Sequence, residues 1–224
     1  MLKIRNPLGQ PFIIIGGQAV NFWATRYVGV ETELETWRPF TSGDIDFKGN
    51  RNDVLHLAQA LKVRATLPLS KEMTALAGAI PLKINGASSM IEIVRFVPGL
   101  TERETEKHAF EHEFEGATIR VLGPISLLHA KAKLCLIASQ KERRDADHVK
   151  ILFYCVRGFL REALCAAEQS DALMRGWLGA MEKTFGVNWN NILPEKEISK
   201  SLLPGVVNFR EKRWPIWQRK ILSR

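Results

Sequence analysis

The stretch Thr41–Asn50, "TSGDIDFKGN", sets two aspartates one residue apart in an otherwise strand-like run. Alternate side chains of a strand point to the same face, so Asp44 and Asp46 are predicted to project together. Ile45 and Phe47 then turn towards the core. Two carboxylates a few ångströms apart repel each other unless one is protonated or a cation bridges them. The stretch therefore predicts either a divalent metal site or a polar turn at a sheet edge.

A glycine pair lies upstream, between a predicted strand and a predicted helix. The β-branched run Phe12–Ile15 ends at Gly16-Gly17, and the following "QAVNFWATRY" has the apolar spacing of a helix. Glycines at such a turn let backbone N–H groups and a helix N-terminus approach an anion closely, as phosphate-binding turns do. A tight strand-to-helix connection without a ligand uses the same residues, so both interpretations stay open at this point.

A third acidic residue stands in the run "MIEIVRF", where Glu92 is isolated in an otherwise apolar predicted strand. A buried acid without a partner is costly, which favours a metal ion or another cation beside it. An ion pair with Arg95 or with a neighbouring lysine is the structural alternative.

The remaining sequence predicts an α/β half followed by a helical half. Asn52 is expected to cap a helix over "DVLHLAQALKVRA". Further strands are predicted in "IPLKIN", "SSMIEIVRFV", "HAFEHEFEG" and "ATIRVLG". From Pro124 onward the apolar spacing is helical, in three runs that end with "SDALMRGWLGAMEKTF". We predict an α+β fold: a mixed sheet flanked by helices in a domain over 1–123, then a helical domain over 124–224.

The charge of the chain is unevenly distributed. The formal net charge is +8, and the tail Phe209–Arg224 alone holds six basic residues against one acidic residue. Basic clusters gain free energy by displacing phosphate counterions, so a polyanionic partner is one expectation and a solvated tail helix is the other.

The cysteines and the apolar segments bear on location. Cys135, Cys155 and Cys165 are odd in number, lack CxxC spacing and lie in helix-like apolar surroundings, which favours reduced thiols and a cytoplasmic protein. The N-terminal run "FIII" is too short for a signal or membrane segment, so no membrane partner is expected.

The combination of a strand, a glycine pair and a helix, followed by S-x-D-x-D and a later acid, resembles the nucleotidyltransferase superfamily of polymerase-beta-like fold. The likeness is greatest to AbiEii toxin-like and related bacterial nucleotidyltransferases. It rests on "GGQAV", on "TSGDIDF" and on Lys133-Leu134 followed by Arg144-Asp145, and it spans about Phe12–Leu152.

The resemblance implies an enzyme that uses Mg²⁺ or Mn²⁺ to transfer a nucleoside monophosphate from a nucleoside triphosphate to a hydroxyl group. The implied site residues are Asp44, Asp46 and Glu92 for catalysis and metal binding, and Gly16, Gly17, Ser42, Lys131, Lys133 and Asp145 for the nucleotide. Lys131 and Lys133 are rivals for one role, because residues two apart on a helix cannot both face the same cleft. Asp145 is implied as an auxiliary polar or catalytic residue.

The sequence departs from the pattern of that group in three places. The long gap between Gly17 and Asp44 makes "VETELETWRPF" look like an inserted loop. The third acid is Glu rather than the commoner Asp. The second aspartate expected after Arg-Asp is matched by His148, or out of register by Asp147.

The acceptor and the class of function stay open. RNA such as tRNA is one acceptor, held by the basic tail with Trp214 and Trp217, although paired tryptophans also commonly pack a tail against a helical region. Small molecules and proteins are the others, and an antitoxin protein is a further partner that the resemblance implies. A non-catalytic nucleotide- or RNA-binding module is the second class of function. A drug-modifying enzyme is the third, with the acidic segment "LTERETEKHAFEHEFEG" as its pocket or as a solvated charged hairpin.

Overall fold

A computed structural model describes residues 1–165, except 70, 85, 140 and 142, together with residues 180, 183 and 184. The chain divides into two units. The first consists of Met1–Phe22 and Thr41–Gly123, and the second of Trp23–Phe40 and the chain from Pro124 onward. The predicted basic tail and its two tryptophans lie outside the described residues, as do most of the third helical run and the side chain of Cys165.

The first unit is built on a six-stranded mixed sheet. Its strands are β1 (Ile13–Ile15), β2 (Asp44–Lys48), β3 (Leu76–Ile84), β4 (Ala87–Val94), β5 (Ala109–Phe114) and β6 (Ala117–Leu122). Their order across the sheet is β3-β4-β2-β1-β6-β5. β1 runs parallel to β6 and β2 runs parallel to β4, whereas the other neighbouring strands are antiparallel. The aspartate-containing strand is therefore a central strand of the sheet.

One face of this sheet is apolar and buried. Strand register aligns Ile14 of β1 with Phe47 of β2 and with Val121 of β6, and it aligns Phe47 with Ile93 of β4. These four side chains are buried, and burial of large apolar side chains is the main favourable contribution to folding. The neighbouring positions on β2 consequently turn Asp44 and Asp46 to the other face.

Three helices accompany the sheet. α1 (Gly16–Tyr27) follows β1 directly, α2 (Arg51–Leu61) follows β2, and α3 (Glu102–Lys107) lies between β4 and β5. The prediction that Asn52 caps α2 is wrong: Asn50 is the cap, and its side chain accepts hydrogen bonds from the amides of Asn52 and Asp53. α3 was not expected, because the acidic run was interpreted only as a hairpin or a pocket.

The described part of the second unit is helical. α4 (Pro124–Ile137) and α5 (Asp145–Cys165) pack against each other, and a 3-10 helix (Thr32–Trp37) contacts α5. Glu31 precedes the 3-10 helix, is fully buried, and accepts hydrogen bonds from Arg157 and Arg161 of α5. The segment interpreted as an inserted loop is thus attached to α5 by ion pairs of the buried Glu31.

The predicted α+β fold, a mixed sheet flanked by helices and followed by a helical region, is confirmed. The structure adds that Trp23–Phe40 groups with the helical unit, and the boundary drawn after Gly123 stays a prediction. None of the described helices is long and apolar enough to cross a membrane.

Candidate active site

Strand β2 carries the two predicted aspartates on a single face. Asp44 is exposed, Asp46 is half-buried, and Phe47 between Asp46 and Lys48 is only 4% exposed. The Phe47 ring contacts Phe12 on the apolar side, with 5.4 Å between ring centroids. This contact fixes which face of β2 is buried, because the opposite orientation would expose Phe47 and bury the two carboxylates.

The third predicted acid lies beside the second aspartate. β2 and β4 are parallel, and their register aligns Asp46 with Glu92 and Asp44 with Met90. Aligned residues of neighbouring strands have their Cα atoms about 5 Å apart and their side chains on one face. Asp46 and Glu92 are therefore brought together, which the sequence could suggest but not demonstrate.

The glycine turn approaches the same aspartate. A Cβ atom added at Gly16 would lie 1.7 Å from Oδ2 of Asp46, and the φ of Gly16 is +63°. Any larger residue would collide with the carboxylate, and an L residue would also be strained at this φ. Gly16 thus allows Asp46 to lie against the N-terminus of α1. Gly17 is a buried residue in the first turn of that helix.

Ser42 lies in the turn that leads into β2. Its hydroxyl donates a hydrogen bond to the backbone carbonyl of Asp44, with a distance of 3.1 Å between the oxygens. The residue predicted to contact a triphosphate therefore stabilises the turn in this structure, and its phosphate contact stays a prediction.

A lysine that sequence analysis missed lies on the same face as the aspartates. Lys48 follows Asp46 by two positions, and its side chain, 10% exposed, forms an ion pair of 3.1 Å with the mostly exposed Glu102 of α3. The period of two along β2 was the available signal. Its partner could not be found without the position of α3.

Three glutamates of the acidic segment proposed as a drug pocket have partners within the first unit. Glu102 pairs with Lys48, Glu106 pairs with Arg120 at 3.0 Å, and Glu104 completes the capping box of α3 with Thr101. Carboxylates already matched to cations or helix ends attract a cationic acceptor only weakly.

The described residues contain no group of three or more His, Cys, Asp and Glu side chains arranged to hold a metal ion. Mg²⁺ is usually held by one or two carboxylates together with phosphate oxygens and water, rather than by a cage of protein ligands. The donor set on β2 therefore fits Mg²⁺ delivered with a nucleoside triphosphate, while a complete three-carboxylate site stays a prediction.

The predicted residues of α4 and α5 belong to the second unit. Nζ of Lys131 lies 2.7 Å from Oδ1 of Asp145, and Nε of Arg143 lies 2.5 Å from Oδ2. Burial alone would raise the pKa of Asp145, but the charges and hydrogen bonds of these two cations lower the pKa below its usual value. Asp145 is a poor proton acceptor in this arrangement, because both carboxylate oxygens are bonded to cations.

The neighbouring candidates have different environments. Lys133 is half-buried on α4. Burial, with the positive charge of Lys131, lowers the pKa of His148 to about 4, so the imidazole is neutral at pH 7. Asp147 forms only a 3.7 Å ion pair with Arg144, and both of these side chains are well exposed.

Burial raises the pKa of the Cys135 thiol to about 11, which makes the thiol unreactive.

No protein family model matches the chain, and no curated protein sequence matches it. Among solved structures, the chain is similar to an antigenic nucleotidyltransferase-like protein from Paracoccidioides brasiliensis, with 14% sequence identity and a TM-score of 0.42. The match covers 65% of this chain and 66% of that chain, just under two thirds of its length. A likeness of this size does not identify a function.

Proposed function

We propose that the protein is a metal-dependent nucleotidyltransferase that transfers a nucleoside monophosphate from a nucleoside triphosphate to a hydroxyl acceptor and releases pyrophosphate. One observation carries this proposal. The carboxylate of Asp46 lies between the Gly16 turn at the N-terminus of α1 and the aligned Glu92, with Asp44 on the same face of β2. This arrangement supports the proposal, because a helix N-terminus that would bind phosphates is adjacent to carboxylates that would bind the metal of a metal–triphosphate complex.

The residues of the first unit would have two roles, metal binding and phosphate binding, according to their chemistry. Asp44 and Asp46 would hold Mg²⁺, with Glu92 next to Asp46 as a further oxygen donor. The amides at the start of α1, at Gly16 and Gly17, would orient the phosphates, because a helix N-terminus attracts anions. A bound Mg²⁺ would stabilise the charge that develops on the α-phosphate and lower the pKa of the attacking hydroxyl.

The roles of the second-unit residues stay predictions. Lys131 already has a counter-ion in Asp145, and Lys133 is the more accessible of the two lysines. We propose RNA such as tRNA as the acceptor, because the net charge of +8 favours a polyanion. A toxin role with an antitoxin partner, and a cytoplasmic location, belong to the same proposal.

One observation favours the non-catalytic alternative, a nucleotide- or RNA-binding module. Asp145 is bonded to two cations, and the pKa of His148, lowered to about 4 by burial, makes its imidazole a weak base, so the described residues around Arg144-Asp145 include no strong catalytic base. This alternative predicts binding of a triphosphate without turnover.

The decisive experiment compares the wild-type protein with Asp46→Asn. Each α-³²P-labelled nucleoside triphosphate is incubated with the protein, Mg²⁺ and total tRNA. We expect labelled RNA with the wild type and at least about a 100-fold lower rate with Asp46→Asn, because a carboxylate that would hold the Mg²⁺ beside the reacting phosphate is removed. Melting temperatures show whether both proteins are folded.

The control is Glu111→Gln, which removes an exposed acid from edge strand β5. It should label RNA at the wild-type rate. Transfer by Asp46→Asn at the wild-type rate would contradict the proposed mechanism. Bound triphosphate without any transferred label would instead establish the binding module, and label on the protein would identify a protein acceptor.

A further inference from the structure

The turn that precedes the aspartates is held by side chains from three places. Nε2 of Gln18 donates a hydrogen bond of 3.2 Å to the carbonyl of Ser42. The hydroxyl of Ser89 donates one of 2.7 Å to the carbonyl of Gly43. The hydroxyl of Ser42 donates the third, of 3.1 Å, to the carbonyl of Asp44. Three successive backbone carbonyls therefore each accept a side-chain hydrogen bond.

The two outside donors come from the elements that also adjoin Asp46. Gln18 lies in the first turn of α1, two residues after Gly16, and Ser89 lies in β4, three residues before Glu92. Met90 follows Ser89 and is aligned with Asp44. The turn and the Asp46 carboxylate are thus positioned by the same helix and the same strand.

These hydrogen bonds matter because the turn is largely exposed and packs little against the rest of the first unit. Thr41, Gly43 and Asp44 are exposed, and a Cβ atom added at Gly43 would meet nothing within 4 Å. Glycine in open space allows many backbone conformations. Each peptide unit is planar, so fixing the carbonyls of Ser42 and Gly43 also fixes the amides that follow them, through which the chain enters β2 at Asp44.

We propose that Gln18 and Ser89 are positioning residues that set the orientation of the Asp44 carboxylate relative to Asp46. This inference rests on the proposed function. It extends the site to two residues that touch neither metal nor nucleotide and act through the backbone of the turn. Preorganisation of this kind matters because misplacing a metal ligand or a reacting group by about 1 Å can cost about 100-fold in rate.

The test uses Ser89→Ala and Gln18→Met, which remove each donor with little change in size. Ser89→Thr keeps the hydroxyl, and Ser88→Ala alters an exposed neighbour on the same strand. Mn²⁺ binding to each protein is measured by electron paramagnetic resonance. Amide hydrogen exchange across residues 42–46 and the melting temperature are measured in parallel, without metal.

We expect Ser89→Ala and Gln18→Met each to weaken Mn²⁺ binding by about 2- to 10-fold, which corresponds to losing one hydrogen bond. Exchange of the 42–46 amides should rise, with the melting temperature nearly unchanged because the turn is exposed. Ser89→Thr and Ser88→Ala should behave as the wild type. A purely structural role would lower the melting temperature without a selective effect on Mn²⁺ binding, and that result would overturn the inference.

The failure of this inference is distinguishable from the failure of the proposed function. If the wild type binds Mn²⁺ and transfers nucleotide while Ser89→Ala and Gln18→Met match it in binding and exchange, only the positioning role is refuted. If the wild type neither binds Mn²⁺ nor transfers nucleotide, the proposed function is refuted and the positioning role with it.

Discussion

Asp145 in the helical unit and Asp44 in the sheet unit are both aspartates among charged neighbours, but their surroundings are opposite. The side chain of Asp145 is 3% exposed and bonded to Lys131 and Arg143. Asp44 is exposed, and it forms no ion pair within the part of the chain that the structure describes. The first carboxylate is thus committed to the fold, whereas the second remains accessible to a ligand.

The physical reason lies in the cost of burying charge. A carboxylate that leaves water loses several kcal/mol of hydration, so a buried one persists only with cations and hydrogen bonds around it. Glu31 follows the same rule, fully buried with Arg157 and Arg161. An exposed aspartate on a sheet face needs no internal partner, and it can accept a cation from solution.

The largest effect is expected from Asp145→Asn. The substitution leaves Lys131 buried without its counter-ion, which should reduce the free energy of unfolding by about 3–5 kcal/mol at pH 7. Chemical denaturation measures this difference. Asp147→Asn, in the first turn of the same helix but well exposed, is the control and should change stability by less than about 0.5 kcal/mol.

The wild type and Asp145→Asn also test the pKa of the Asp145 carboxyl group. The pKa of Asp145 is lower in the folded protein than in the unfolded chain, where it is about 3.9. Its stabilisation is therefore present above about pH 4 and is lost as the pH falls through the folded value. The stability difference between the wild type and Asp145→Asn should shrink below pH 4. A constant difference down to pH 2 would show that the carboxylate charge is not responsible.

An intermediate effect is expected from Gly16→Ala, which tests the contact between the glycine turn and Asp46. Alanine would be strained at a φ of +63° and would displace the carboxylate. The free energy of unfolding should fall by about 1–3 kcal/mol, and Mn²⁺ binding should weaken with it. Gly29→Ala, where an added Cβ meets nothing within 4 Å, should leave both quantities unchanged. Equal behaviour of the two variants would disprove the close approach.

The smallest effect on stability is expected from Asp44→Asn. The side chain is exposed, and the hydrogen bond from Ser42 goes to the backbone carbonyl, so the free energy of unfolding should stay within about 0.5 kcal/mol of the wild type. Mn²⁺ binding should nevertheless be lost. A large loss of stability would mean that Asp44 is a structural residue like Asp145, and the contrast between the two aspartates would not hold.

Several elements could be predicted because their signals are local. The β-branched run before Gly16 and the alternation around Asp46 identified two strands, since periodicity reflects burial of one face. The cap of α2 was misplaced by two residues, because Asn50 and Asn52 are equally suitable in composition. α3 was missed because its six residues are all charged or polar and carry no apolar period.

Ion pairs were the feature of the structure that was least predictable from the sequence. Lys131 could be placed on a helix and proposed as a phosphate ligand, but its partnership with Asp145 depends on how α4 and α5 pack. Lys48 and Glu102 are 54 residues apart, so their pairing has no local signature.

The sequence by itself determined which residues of β2 share a face, because side chains alternate along an extended backbone. It thereby placed Asp44 and Asp46 together. Only the tertiary structure decided that Glu92 is aligned with Asp46, that Gly16 makes room for the carboxylate, and that Asp145 is neutralised. Those outcomes depend on contacts between residues that are distant in the sequence. Such contacts form only when the chain folds, so no local pattern in the sequence records them.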